Sequence, residues 1–509
     1  MLNPQSEALV LAVVGTGVMG QGIAQLAAQA GLEVRLFDLQ EGAALRARQS
    51  LADVWSRLQA RGRMDEAAAQ AALTRVQVCH TLQELAGCHL VVEAIAERLE
   101  AKQGLFQQLE PIVGPDCVLA TNTSSLSVTA IAAACTRPER VAGWHFFNPV
   151  PLMKLVEVVQ GLRTDTAVVD ALLVLGQRLG HRAVRAQDTP GFIVNHAGRG
   201  FGTEALRVLG ESVASPATVD TVLRGQAGFK LGPFELFDLV GLDVSVPVME
   251  SVYRQYFEEP RFRPSPLAVL RRHAGLLGRK TGQGFYAYAD GVAQKPERLS
   301  YAEVRPGPVW VSHRNAWGAA CAAWLSEMGA DVEAGERPTP EALCVVLPQG
   351  EDVSSCVAAE QLDPACTVAL DWLFPQAGCA AIFTNPLTTA HSVARAVALL
   401  QPLSASVRML RDSPGLLGQR VLATIVNIAC DMAQQGIASP QDIDAAVILG
   451  LGYPQGPLAW GDALGPQCLL QILQNLHACT GDPRYRPSPW LRRRAQLRCS
   501  LLTIEISPS

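Results

Sequence analysis

Six residues near the start of the chain, Gly15-Thr16-Gly17-Val18-Met19-Gly20, restrict its fold more than any other segment. They form a G-x-G-x-x-G turn between a short apolar run, Ala8–Val14, and a stretch with helical spacing, Gly22–Ala30. A strand that enters such a turn and leaves it as a helix opens a βαβ unit. Gly15 permits the tight turn, and Gly17 leaves the backbone open to a pyrophosphate at the helix N-terminus. Gly20 lets the helix pack closely on the strand. A second strand, Glu33–Phe37, ends at Asp38. A carboxylate there accepts hydrogen bonds from a ribose 2′-OH and repels a 2′-phosphate, which selects NAD over NADP.

Further strand-like runs at Val76–Cys79, Leu90–Glu93, Val118–Thr121 and Arg140–Trp144 alternate with helical stretches. That alternation predicts a parallel, doubly wound α/β sheet of the Rossmann type over residues 1–187. From Thr189 to about Tyr288 the pattern turns mainly helical, giving a helical domain over 188–290. This domain recurs. Asp188-Thr-Pro-Gly-Phe192 returns as Asp412-Ser-Pro-Gly-Leu416, Ser215-Pro216 as Ser439-Pro440, and Gly232-Pro-Phe234 with Asp238 as Gly456-Pro-Leu458 with Asp462. All these pairs share one offset of 224 residues, so the copies align without gaps over about fifty positions. Arg261-Phe-Arg-Pro-Ser-Pro266 follows as Arg484-Tyr-Arg-Pro-Ser-Pro489, one residue short of that offset. The second helical copy spans 408–500. Between the copies, residues 305–403 read as a reduced Rossmann-like α/β domain without a glycine fingerprint. Its strand-like runs are Pro308–Ser312, Ala342–Leu347, Thr367–Leu370 and Ala380–Phe383, and a loop over Ala289–Pro308 leads into it.

With 509 residues the chain exceeds one hydrophobic core, as expected for three or four domains. Its 49% apolar and 17% charged residues describe an ordinary globular protein. A formal charge of −5 argues against broad nucleic-acid binding. The 13 cysteines form no CxxC pair and carry no zinc-ligand spacing, so no metal is expected, and they read as buried small hydrophobes in a reducing compartment. Met1–Val10 lacks a basic region and contains Glu7, so it reads as a strand rather than a signal peptide. With no apolar run long enough for a membrane span, a cytoplasmic protein is expected.

Chemistry enters with His145, in Trp144-His-Phe-Phe-Asn-Pro149, and Glu157. An imidazole beside a carboxylate is held in one tautomer and its protonated form is stabilised, which suits a base that takes an alcohol proton as hydride leaves the same carbon. Asn122-Thr-Ser-Ser125 is a polar loop after another strand on the same sheet edge, where ligands collect. Asn195, on the helix opened by Asp188-Thr-Pro-Gly191, offers an amide to a substrate oxygen.

This constellation resembles the L-3-hydroxyacyl-CoA dehydrogenase family over about residues 8–290. The motifs that carry the resemblance are Gly15–Gly20, Asn122-Thr-Ser-Ser, His145-Phe-Phe-Asn-Pro, Asp188-Thr-Pro-Gly-Phe-Ile-Val-Asn195, Gly232-Pro-Phe-Glu-Leu and Lys280-Thr-Gly-Gln-Gly-Phe-Tyr. The duplicated helical domain is similar to long bacterial members that oxidise 3-hydroxybutyryl-CoA or 3-hydroxyadipyl-CoA. The resemblance implies His145 as catalytic base, Glu157 as the carboxylate that orients it, Ser124 against substrate and nicotinamide, and Asn195 near the reacting oxygen. It also implies cofactor contacts at Glu97, Lys102, Asn148 and Lys280, and an acyl-CoA substrate. The basic helix Gly42–Arg63, with Arg46, Arg48, Arg57, Arg61 and Arg63, reads equally as a CoA phosphate site or a solvated face. Arg199, Arg207 and Lys230 are candidates to meet a distal carboxylate on the acyl chain.

The second copy places Gln419 where the first has Asn195, and the α/β domain before it has no His/Glu pair. It therefore reads as structural. The family's helical domain mediates dimerisation, so the two copies are expected to form an intrachain pseudo-dimer with one NAD site, with a homo-oligomer of the whole chain as an option. Two rival functions are a non-catalytic, crystallin-like NAD-binding protein and a short-chain β-hydroxyacid dehydrogenase with a catalytic lysine. The presence of Ser124, His145, Glu157 and Asn195 argues against the first, and the His145-Phe-Phe-Asn-Pro context against the second.

Overall fold

Alternation along the strand Val10–Val14 decides how the first sheet is buried. Leu11 and Val13 point into one apolar cluster with Ile23, Ala27 and Trp55, while Val10, Ala12 and Val14 point into another with Leu105, Phe106 and Leu109. Side chains of a strand alternate between faces, so a strand apolar at every position must be covered on both. The computed structural model describes residues 2–294, 303–375 and 378–505, so the loop expected over Ala289–Pro308 lies partly outside the described residues. Its contacts divide the chain into two units, Met1–His196 with Gln435–Leu451, and Ala197–Gln434 with Gly452–Ser509.

The first unit is built on eight strands: β1 (Val10–Val14), β2 (Glu33–Phe37), β3 (Val76–Val78), β4 (Leu90–Glu93), β5 (Val118–Thr121), β6 (Val141–Phe146), β7 (Leu155–Gln160) and β8 (Arg182–Gln187). Their order is β3-β2-β1-β4-β5-β6-β7-β8. β1 to β6 run parallel, whereas β7 pairs antiparallel with β6 and parallel with β8. The last two strands are not evident from the sequence, because Glu157 interrupts the apolar run of β7 and β8 alternates with Arg182 and Arg185. The strand order reverses beside β1, which opens the crevice used by dinucleotides in sheets of this kind. The helix Pro440–Leu451, which belongs to the second helical copy, packs on β7 and β8 of this unit. At Gly450 a Cβ would come within 2.8 Å of Val194, so the helix approaches closely only because that side chain is missing.

The second unit holds a short hairpin, β9 (Ala287–Ala289) with β10 (Val292–Gln294), and a sheet of β11 (Val309–Val311), β12 (Leu343–Val346), β13 (Thr367–Leu370), β14 (Cys379–Thr384) and β15 (Ser406–Arg411) in that order. β15 begins inside the 403–408 interval where the sequence alone ends the α/β domain and runs on to Arg411. From β12 onward, neighbours pair parallel, antiparallel and parallel, as β5 to β8 do. The helices of both copies begin alike: Pro216, Pro233, Pro266, Pro457 and Pro489 each sit at a first helical position. Proline lacks the N–H that would go unpaired there, and the Ser215, Ser265 and Ser488 side chains cap the remaining donors. The helix Arg199–Gly210 of the first copy packs against Gly418–Gln434 of the second, and the helix Pro216–Ala227 packs on β14 and β15. A separate apolar cluster around Val309, Leu343, Val368, Ile382 and Leu400 forms the core of this sheet.

Candidate active site

Several candidate groups of the first unit lie at or just beyond the C-terminal end of a strand. The glycine turn follows β1, Glu97 follows β4, and Ser124 follows β5, while His145 lies within the last residues of β6. In the turn, Gly15 has φ +95° and a Cβ there would sit 2.6 Å from the Ala94 carbonyl oxygen. At Gly20 a Cβ would come within 1.9 Å of the Gly15 oxygen. Both glycines are therefore demanded by the fold. Gly17 is not: its backbone is ordinary and a Cβ there would meet nothing within 4 Å. The open space over Gly17 lies at the start of the helix Val18–Gln29, which has no side-chain cap, so its first N–H groups suit a pyrophosphate. These residues fit a dinucleotide. Thr16 is buried and Val18 is exposed, with Met19 between the two extremes.

Asp38 closes the turn from below. Its Oδ2 accepts from Thr16 N at 2.7 Å and Thr16 Oγ1 at 2.8 Å, and Oδ1 accepts from Gln40 N at 2.9 Å. Partial burial pushes its pKa up, and these donors more than offset that, so it stays ionised below the usual carboxylate range.

Glu97 organises the loop after β5. Its Oε1 accepts from Thr123 Oγ1 at 2.6 Å, Ser124 N at 2.9 Å, Ser125 N at 3.0 Å and Ser125 Oγ at 3.0 Å. Its Oε2 meets Lys102 Nζ at 3.2 Å, and that ammonium is 1% exposed and donates to Glu93 Oε1 at 2.6 Å. Burial pushes the Glu97 pKa up, but the Lys102 charge and the Thr123 and Ser124 donors hold it below its ordinary value. Glu93, the polar end of an otherwise apolar strand, is a participant that the sequence reading passes over. Asn195 Nδ2 donates to the Ser124 carbonyl oxygen at 3.2 Å, which brings two more expected residues together.

His145 and Glu157 face each other directly across the antiparallel pair β6–β7. His145 Nδ1 and Glu157 Oε2 are 2.6 Å apart, and Glu157 is fully buried. The other carboxylate oxygen accepts from Ile193 N at 3.0 Å and Val194 N at 2.9 Å. With Oε1 taken by two backbone N–H groups, Oε2 is the oxygen that faces the ring; a proton on Nδ1 would donate to it and leave Nε2 as the basic nitrogen. The ring is held by Phe147 at 4.4 Å and Phe192 at 5.8 Å between centroids. Phe192 has φ +48°, a left-handed conformation rare for an aromatic residue, and the Ile193 and Val194 donors follow directly. Asp188 joins the same region to the Ser124 loop: it accepts from Ser127 Oγ at 2.7 Å, Val128 N at 3.0 Å and Thr129 N at 2.7 Å.

Asn148 lies exposed in the turn after β6. Lys280 belongs to the second unit, where its Nζ donates to both oxygens of Asp243 at 2.7 and 3.0 Å. Among the described residues no cluster of side chains is arranged to hold a metal. No described helix is long and apolar enough to cross a membrane.

In the second sheet the counterpart of this pair is altered. β14 and β15 lie 224 residues after β7 and β8, so Ala381 occupies the position of Glu157. Asp371, one residue beyond β13, takes the place across from it. It accepts from Gly418 N at 2.8 Å, Gln419 N at 3.2 Å and Gln419 Nε2 at 3.1 Å. The helix start is capped directly by a carboxylate, with no imidazole.

Residues 10–189 match the family model for the NAD-binding domain of 3-hydroxyacyl-CoA dehydrogenase, and residues 191–288 and again 415–499 match the model for its C-terminal domain. The chain belongs to the 3-hydroxyacyl-CoA dehydrogenase family. Within this family, the 3-hydroxyadipyl-CoA dehydrogenase of Escherichia coli (strain K12) is 40% identical over 498 residues, 98% of each chain. A probable 3-hydroxybutyryl-CoA dehydrogenase of Bacillus subtilis (strain 168) is 40% identical over 278 residues, 55% of this chain and 96% of that protein. Among solved structures, the 3-hydroxybutyryl-CoA dehydrogenase of Escherichia coli K12 superposes with a TM-score of 0.85 at 38% identity, covering 96% of this chain and 98% of that one. The dehydrogenase model thus recurs on both helical copies, whereas the NAD-binding model matches once.

Proposed function

We propose that this NAD-dependent 3-hydroxyacyl-CoA dehydrogenase oxidises the C3 hydroxyl of a short-chain L-3-hydroxyacyl-CoA, with His145 as general base. The observation that carries this reading is the His145–Glu157 pair, buried, cross-strand and 2.6 Å apart. His145 Nε2 takes the hydroxyl proton, and Glu157 stabilises the resulting imidazolium and fixes the ring. NAD, when held at the glycine turn, would supply the hydride acceptor for C3. Ser124 and Asn195, linked to each other at 3.2 Å, position the oxygen that becomes the carbonyl. The cofactor contacts are assigned to Gly15, Thr16, Gly17, Val18, Met19, Gly20, Asp38, Glu97, Lys102, Asn148 and Lys280. Because Lys102 is almost fully buried, it acts on the cofactor through Glu97.

Arg57, Arg61 and Arg63, at and after the end of the helix Ala43–Ala60, are exposed, which fits the basic helix equally as a CoA phosphate site or as a solvated face. Arg48 is spent on the Val76 carbonyl at 3.0 Å. Of the candidates for a distal acyl carboxylate, Arg207 already pairs with Glu211 and Asp482, while burial pulls the Arg199 pKa down to about 10 and Lys230 is exposed. The domain division at 1–187, 188–290, 305–403 and 408–500 belongs to this reading. So does the intrachain pseudo-dimer, supported by the exchange of equivalent helices, Pro440–Leu451 on β7 and β8 and Pro216–Ala227 on β14 and β15. A cytoplasmic setting is favoured by thirteen unpaired thiols. NADH-linked reduction rates on acetoacetyl-CoA and 3-oxoadipyl-CoA test the proposal. Turnover of either supports it and their ratio assigns the acyl group; no NADH oxidation with any 3-oxoacyl-CoA overturns it.

A further inference from the structure

The ion cluster beneath the Ser124 loop holds more negative than positive charge. Glu93 Oε1 accepts from Ile95 N at 2.7 Å and Lys102 Nζ at 2.6 Å, and its Oε2 accepts from Thr121 Oγ1 at 2.6 Å. Donors on both oxygens describe an ionised carboxylate. Glu97 is ionised as well, held by Lys102 and the donors of the loop. One ammonium therefore faces two carboxylates, leaving a net charge of −1 on a cluster whose Glu93 and Lys102 are at most 1% exposed and whose Glu97 is 37% exposed. Salt screens the buried Glu93 far less than a carboxylate at the surface.

In the functional reading above, on which this inference rests, the loop over this cluster receives the nicotinamide. That ring is cationic in NAD⁺ and neutral in NADH. We propose that Glu93, acting through Lys102 and Glu97, makes the site discriminate between the two forms by favouring the oxidised one. The cluster then has a counterpart in His145–Glu157. The positive charge that leaves the ring as hydride arrives reappears as the proton on His145, beside Glu157. Each place that holds the cation during turnover is backed by a buried carboxylate. A role of Glu93 confined to tying β4 to the helix Leu99–Leu109 and to β5 would affect both cofactor forms alike.

Dissociation constants for NAD⁺ and for NADH, measured separately by calorimetry and by NADH fluorescence, decide between these roles. In Glu93→Gln the NAD⁺ constant rises on the order of tenfold while the NADH constant stays within about twofold, the effect of one unit charge lost from a buried site. Glu93→Asp keeps the charge and changes the shape, so the ratio of the two constants stays near that of the unsubstituted protein. Glu97→Gln removes the same charge from a half-exposed position and shifts the ratio in the same direction, which keeps the test open if Glu93→Gln does not fold. Equal losses for both forms, or an unchanged ratio in both glutamine variants, overturn the proposal. Failure of the unsubstituted protein to bind either form would instead overturn the assignment of the glycine turn to NAD.

Discussion

Gly17 and Gly20 sit in the same turn and answer to different constraints. A side chain at Gly20 collides with the Gly15 carbonyl, whereas one at Gly17 meets open space. Gly20→Ala is therefore expected to destabilise the protein by more than about 3 kcal/mol through overpacking against backbone. Gly17→Ala should leave the melting temperature within about 2 °C, since its backbone is compatible with alanine, and weaken NADH binding on the order of tenfold or more. Thermal melts and NADH titrations of both variants check this; a Gly17→Ala protein that binds NADH normally would remove the pyrophosphate from that spot. At this scale the sequence is informative where a motif ties residue types to a spacing: it singles out His145 and Glu157, which the fold brings within 2.6 Å. It was silent on Glu93, because a glutamate ending an apolar strand gives no sign of the buried lysine that answers it. Phe192 escaped for another reason: following Gly191 in a Pro-Gly-Phe run, its own left-handed backbone is visible only in three dimensions.

Elements place the proposed catalytic pair, since the antiparallel register of β6 and β7 is what sets His145 opposite Glu157. Periodicity located β1 to β6 but not β7, so the sequence offered the two residues without the reason they meet. A second element-level feature joins the helical copies. Glu204, on the helix Arg199–Gly210, is fully buried and accepts from Arg420 Nε at 2.5 Å, Arg484 at 3.2 Å and Tyr485 OH at 2.5 Å. The equivalent of Glu204 in the second copy is Ile428, so the network is one-sided and marks the two copies as different partners. Burial raises the Glu204 pKa, but Arg420 and Arg484 bring it down to about 2, below its ordinary 4.5. A depressed folded pKa means that the ionised form stabilises the fold above about pH 4.5 and that this contribution fades as pH falls toward 2. Glu204→Gln should cost about 3 kcal/mol at pH 7, with the deficit shrinking below pH 4.5 in denaturant titrations. A deficit independent of pH would contradict the ionic account.

The whole molecule repeats its helical domain but not its glycine turn. The repeat was legible because its Pro, Gly and Asp residues shape backbone at helix starts, as Asp188 and Asp412 both do, the latter accepting from Val353 N at 2.7 Å and Ser354 N at 3.0 Å. Altered chemistry at Asp371, Ala381 and Gln419 predicts one site per chain, so calorimetry should return one NADH per 509 residues. Deleting residues after about 300 removes Pro440–Leu451 from β7 and β8 and Gly418–Gln434 from the helix Arg199–Gly210, baring both surfaces. The truncated chain is expected to aggregate or self-associate in size-exclusion chromatography; a soluble, fully active monomer would refute the built-in pseudo-dimer.

The rate of NADH formation from L-3-hydroxybutyryl-CoA by His145→Gln, set against that of the unsubstituted protein at saturating substrate, bears most directly on the catalytic assignment. Loss of the base should lower it by about 10²–10⁴-fold while NADH affinity stays within about twofold. A rate within tenfold of the unsubstituted protein would show that the proton leaves by another route.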